Sequence, residues 1–161
     1  MIGATATAVI TFGGMEALSY ASHRWLMHGP GMDWHRSHHA PSVARLERND
    51  RFPACFSVVG IGLFVVASLG AGRVWPIAIG VTAYGAAYLC VHEIHIHRRL
   101  PGPTLRGRYL DWLRTAHAGH HRTGGEPYGM LLPIRRPPAE DPRPNAELRL
   151  TRVPRREPAA D

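Results

Sequence analysis

Residues 74–97 read VWPIAIGVTAYGAAYLCVHEIHIH. From Val74 to Val91 no side chain is charged; three histidines and a glutamate then follow within six positions. A helix needs about 17–25 apolar residues to cross a bilayer, and this run is long enough. Titratable groups at the edge of such a helix are expensive to bury unless something there uses them. The stretch therefore reads as a membrane helix that ends in a chemical site.

Working outward, two more spans have the same character. Ile2 to Ser22 carries only Glu16 as a charge, and Phe52 to Gly72 carries none. All three are rich in Ala and Gly, which let helices approach closely within a membrane. A soluble bundle would have to bury two uncharged spans joined by the tight turn GRVWP, in a chain of only 161 residues. The expected fold is all-α: an integral membrane helical bundle of about three to four membrane-embedded helices. The fourth is the segment YLDWLRTAHAGHH. There Tyr109, Trp112 and Leu113 recur at i, i+3 and i+4, as in an interfacial helix or a lid on the bundle. Residues 1–132 form one domain. From Pro133 to Asp161 the chain is Pro- and Arg-rich with little to bury, and reads as a disordered tail.

The formal net charge is +7, from 19 Lys+Arg against 12 Asp+Glu. The arginines do not cluster on one predicted helix and have almost no aromatics among them, so no nucleic acid is expected as a partner. Arginines instead follow the first span (Arg24, Arg36, Arg45, Arg48, Arg51) and the third (Arg98, Arg99, Arg106, Arg108, Arg114). The turn between the second and third spans carries only Arg73. By the positive-inside rule, residues 23–51 and everything after 97 face the cytoplasm. Cys55 and Cys90 both lie in apolar runs and read as small core residues, not as a disulfide.

Eleven histidines are the unusual feature. His23 and His28 form H-x4-H, and His35, His38 and His39 form H-x2-HH. His92 and His97 repeat the first spacing, and His117, His120 and His121 repeat the second. His95 falls outside this doubled block and is expected behind the ligands or on the surface. With the chain crossing out and back through spans two and three, all four clusters meet at the cytoplasmic membrane face. Imidazoles gathered there repel one another when protonated and are costly to bury without partners. Coordination of Fe, Zn or Cu resolves both problems. Ten nitrogens exceed one tetrahedral ion and suit two metals with open positions. On a helix each H-x2-HH offers neighbouring nitrogens. An H-x4-H pair advances about 500°, which leaves its members about 140° apart on an α-helix. Such a pair straddles a site, serves two metals, or lies where the helix frays. Glu16, seven residues before His23, shares its face and can bond a ligand's outer nitrogen or line a channel. Asp50 and Glu93 flank the clusters and can orient an imidazole in the same way.

On HRWLMHGPGMDWHRSHHAP, LERNDRFPACF, the 74–101 stretch and RGRYLDWLRTAHAGHH, residues 14–132 resemble the fatty acid hydroxylase superfamily, and within it the bacterial β-carotene hydroxylases. The resemblance implies a membrane non-haem di-iron monooxygenase. It would hydroxylate carbon 3 of carotenoid β-ionone rings, taking β-carotene through β-cryptoxanthin to zeaxanthin, and in some members canthaxanthin to astaxanthin. It also implies O2 as co-substrate, reduced ferredoxin or a similar donor with its ferredoxin reductase, and residence in the bacterial inner membrane. The ten histidines of the doubled block match that family's iron ligands. The chain departs from the family at Glu93, where Asp is usual, at His95, where an uncharged residue is usual, and in the short segment RTGGEPYGMLL. The same histidines would serve a related hydroxylase or desaturase of an acyl chain or sterol. A membrane protein that stores or transports metal is the non-enzymatic reading.

Overall fold

The computed structural model describes residues 2–40, 44 and 46–133. The expected disordered tail lies outside the described residues, apart from Pro133, which is buried. Every described element is helical. Helix α1 spans Ile2–Ala21 and runs into a π-helix, Ser22–Met27. Helix α2 covers Met32–His39, and α3 covers Arg51–Ser68. Helix α4, Trp75–Tyr88, runs into a second π-helix, Leu89–Ile96. Helix α5 spans Arg108–Thr123.

Helix α4 is the centre of the bundle, with α1 and α3 packed against it. Close approach to α1 depends on Gly80: a Cβ there would lie 2.6 Å from the Ala8 carbonyl oxygen and 2.7 Å from Thr11 Cβ. Ala78 is fully buried, and the Phe12 and Tyr84 rings meet edge-on at 5.6 Å. Forcing a side chain into such a contact costs about 1–3 kcal/mol or more. Gly80→Leu is therefore expected to lower the thermal unfolding midpoint in detergent, and an unchanged midpoint would refute this packing role.

Two helical stretches, Arg48–Ser68 and Gly72–Ile96, are long and apolar enough to cross a membrane, yet only 17% of an apolar 18-residue portion of each is buried. Val58, Val59, Ile61, Val65 and Val66 on α3, with Ile77 and Ile79 on α4, point outward. A soluble bundle would turn that surface inward, so its exposure favours lipid as the surroundings. Cys55 and Cys90 are exposed too, which corrects their expected place in the core: with so few helices most apolar faces look outward. Helix α1, expected as the first span, is not one of the two membrane-length apolar stretches, because Ala, Gly, Thr and Glu16 dilute its hydropathy.

Helix α5 is amphipathic, but the stripe of Tyr109, Trp112 and Leu113 expected from the spacing does not share one environment. Leu113 and Ala116 are buried, while Tyr109 and Trp112 are exposed. It stops at Gly124, which adopts a left-handed φ of 66° and donates its N–H to the His120 carbonyl at 2.7 Å.

Candidate metal centre

Each H-x4-H pair starts within a π-helical segment and ends on the residue that caps it. The His28 N–H donates to the His23 carbonyl at 3.0 Å, and the His97 N–H to the His92 carbonyl at 2.9 Å. These i→i+5 bonds widen the turn, so residues five apart return to one face. The separation of about 140° expected on an α-helix therefore does not arise. Single π-turns are rare and concentrate at functional sites.

The two H-x2-HH motifs lie on regular α-helices, α2 and α5, and behave differently. Residues i and i+4 differ by about 40° around an α-helix, while i+3 lies about 60° to the other side of i. His35 and His39 thus turn one way and His38 the other. The result is two groups of imidazoles. One comprises His23, His28, His35, His39 and His120; the other comprises His38, His92, His97 and His117. Within each, the ligating atoms all lie within 4.8 Å of one another. His121 adjoins the second group, with its Nε2 2.8 Å from that of His117. Each α-helical motif therefore divides its histidines between the groups, and each π-helical pair stays together.

In both groups the Nε2 atoms converge. The pairs His23–His35, His28–His120, His35–His39 and His38–His92 are each separated by 3.1 Å, and His97–His117 by 2.8 Å. Nitrogens about 2.1 Å from one ion lie about 3.0 Å apart at right angles and about 3.4 Å apart in a tetrahedron. The observed spacing suits nitrogens that share one ion. Imidazole-only ligation suits iron among other metals.

The outward nitrogens are held as well. Nδ1 of His23 donates to the Tyr128 carbonyl at 2.9 Å, and that of His120 to the Gly125 carbonyl at 2.5 Å. His35 Nδ1 donates to Asn49 Oδ1 at 2.8 Å. His38 and His92 donate to carboxylates, Glu47 Oε2 at 3.1 Å and Glu93 Oε1 at 2.6 Å. Oxygens that only accept place the ring proton on Nδ1 and leave the Nε2 lone pair free for a metal. Burial, reinforced by His39, lowers the pKa of His28 to about 4, and burial with neighbouring imidazoles lowers His35 to about 4. Burial brings His120 down to about 3, and burial followed by His97 pushes His121 lower still. These imidazoles are neutral at pH 7, the form that ligates.

The family model described as fatty acid hydroxylase matches residues 8–135. The chain belongs to the fatty acid hydroxylase family. The hydroxylase is 41% identical over 113 residues to a beta-carotene hydroxylase of a Paracoccus species, covering 69% of this chain and 70% of that protein. It is 38% identical over 121 residues to the beta-carotene hydroxylase of Pantoea ananas, covering 73% and 67%. Against the chloroplastic beta-carotene 3-hydroxylase 2 of Arabidopsis thaliana the identity is 36% over 139 residues, covering 82% of this chain and 46% of that one. No solved structure matches. With these relatives, the chain is a hydroxylating oxidoreductase.

Several residues of the hydroxylase differ from their expected places. Glu16 bonds no imidazole. Its carboxylate accepts the N–H groups of Met130, Leu131 and Leu132 at 2.9, 3.0 and 2.9 Å, and the Tyr84 hydroxyl at 2.7 Å. The segment after α5 occupies the face that register alone offered to a ligand. Asp50 also touches no imidazole; it pairs with Arg99 at 2.6 Å. Glu93 does orient His92. His95 is buried rather than on the surface; its Nε2 meets the Leu110 carbonyl at 3.1 Å, tying α5 to the second π-helix. Glu47, Asn49 and Arg99 were missed as supports. The polar run LERND beside an apolar span was the only signal for Glu47 and Asn49, and the basic pair after the third span the only one for Arg99, because their partners lie on other elements.

Proposed function

We propose that the hydroxylase adds a hydroxyl at carbon 3 of carotenoid β-ionone rings, converting β-carotene through β-cryptoxanthin to zeaxanthin, with canthaxanthin to astaxanthin as a related conversion. The observation that carries this reading is the pair of converging imidazole groups, in a chain whose bacterial relatives are named beta-carotene hydroxylases. Two iron ions, one in each group, would supply the activation of O2. One oxygen atom enters the C–H bond and the other leaves as water, with two electrons supplied by a reduced ferredoxin or similar donor and two protons drawn from solvent. The chain's own part is to present neutral Nε2 lone pairs, fix each ring from behind, and keep the imidazoles away from bulk water.

Residues 1–132 form the hydroxylase domain, and residues 133–161 a Pro- and Arg-rich tail. The exposed valines and isoleucines of α3 and α4 support an integral position in the bacterial inner membrane, where a carotenoid reaches the site sideways from the lipid. The arginines beside the histidine groups support a cytoplasmic metal face. The family's description alone favours an acyl-chain substrate; the names of the relatives favour the carotenoid.

The test is expression in bacteria that accumulate β-carotene, followed by pigment chromatography. Cryptoxanthin and zeaxanthin are the expected products. Their absence, with iron-loaded protein in the membrane, would overturn the carotenoid assignment.

A further inference from the structure

The two imidazole groups are supported by different chemistry. Behind the first are neutral oxygens: the Asn49 amide on His35, and the Tyr128 and Gly125 carbonyls on His23 and His120. Behind the second are carboxylates, Glu47 on His38 and Glu93 on His92. Those side chains are themselves buried, Glu47 at 7% and Glu93 at 6% exposure.

One cation holds both carboxylates. Arg99 reaches Glu93 Oε2 through Nε at 2.6 Å, Asp50 Oδ1 through one terminal nitrogen at 2.6 Å, and Glu47 Oε2 through the other at 3.0 Å. It is delivered by a reversal at Arg98, whose φ is +54°, after which the Arg99 N–H donates to the Glu93 carbonyl at 2.9 Å. Three carboxylates against one guanidinium leave a formal charge of −2 beside the second group. The partners bonded behind the first group carry none.

A carboxylate behind an imidazole makes it a more basic ligand, and losing such a partner costs about 10–100-fold in metal affinity. By number the first group has five imidazoles and the second four, with His121 adjoining it beside His117, so the carboxylates and not the ligand count favour the second group. We infer that Glu47 and Glu93, clamped by Arg99, make the His38–His92 group the tighter of the two ion sites. Arg99 acts as a positioning residue: it touches no imidazole and works through the carboxylates. The inference rests on the two-ion reading given above.

The test is iron release from the detergent-purified, ferrous-loaded protein. Iron per chain is measured first, and loss to the chelator ferrozine is then followed with time. Two ions leaving in two equal phases, separated by about tenfold or more, are expected. Glu93→Gln and Glu47→Gln should each speed the slow phase by about 10–100-fold and leave the fast phase alone. Arg99→Met should act in the same direction, with Arg99→Lys restoring part of the loss. Asn49→Asp, which puts a carboxylate behind His35, should slow the fast phase by about tenfold or more. That gain of retention cannot arise from a misfolded protein. Fewer than two ions per chain would overturn the two-ion reading itself. Two ions leaving in a single phase, or glutamate variants that speed the fast phase, would overturn the asymmetry and leave that reading standing.

Discussion

His120→Ala is expected to leave one bound ion in place of two and to cut hydroxylation by at least about 100-fold, the upper end of what losing a mere supporting contact costs. His120 lies on α5, but its Nε2 is 3.1 Å from that of His28, in the group built mainly from the π-turn after α1 and from α2. His38→Ala is the counterpart. It lies on α2 but faces His92 and should empty the other group. Each variant should retain the ion that the other loses. His95→Leu is the control, since His95 belongs to neither group, and it should keep both ions. Elemental analysis of the purified proteins, paired with pigment chromatography, reads all three. Two ions retained in His120→Ala or His38→Ala would refute the two-group reading.

Glu16→Leu is expected to be the most damaging change outside the histidines. The Glu16 carboxylate accepts three consecutive backbone N–H groups, from Met130 to Leu132, as well as the Tyr84 hydroxyl. Leucine would leave the Met130 N–H and the Tyr84 hydroxyl buried and unpaired, at roughly 1–3 kcal/mol each, and would release the more exposed Leu131 and Leu132 N–H groups. The same segment is held at its other end by an ion pair between Arg24 and Glu126 and by the Tyr20 hydroxyl on Glu126 at 2.8 Å. Tyr128, between these anchors, and Gly125, next to Glu126, offer the carbonyls that orient His23 and His120. Loosening the segment should therefore weaken the first ion site and spare the second. The expected readout is loss of one ion per chain with near-complete loss of product, together with a lower unfolding midpoint. Glu16→Gln, which keeps one acceptor oxygen, should be milder. Normal iron content and activity in Glu16→Leu would show that the segment does not depend on this carboxylate.

Much of this site is legible in the residues. The uncharged runs before His92 and after Arg51 announce long apolar helices, because period-free hydrophobicity of that length suits lipid more than a small core. The doubled histidine block selects ten of the eleven histidines, and none of the ten lies apart from the two groups. The spacing of His23 with His28, and of His92 with His97, also carried information that α-helical geometry misreads. Five-residue spacing is out of phase on an α-helix and in phase on a π-turn, so a pattern that looked like two opposed faces is one. The neighbouring supports were harder to see. Glu47 and Asn49 belong to a short polar loop, and Glu16 to an apolar helix. Nothing local distinguishes a carboxylate that orients an imidazole from one that anchors a backbone segment.

The sequence by itself determined the helical class, the apolar spans and the identity of the histidine clusters. Those are properties of composition and short-range periodicity. Only the tertiary structure decided how the histidines divide, because His38 and His120 leave their own motifs to join ligands contributed mainly by other helices. It also decided which oxygens stand behind which rings. That difference puts carboxylates and Arg99 on one side and neutral amide and carbonyl oxygens on the other. Such contacts join residues separated by up to 105 positions, as His23 and Tyr128 are, and only the packing of helices brings them together.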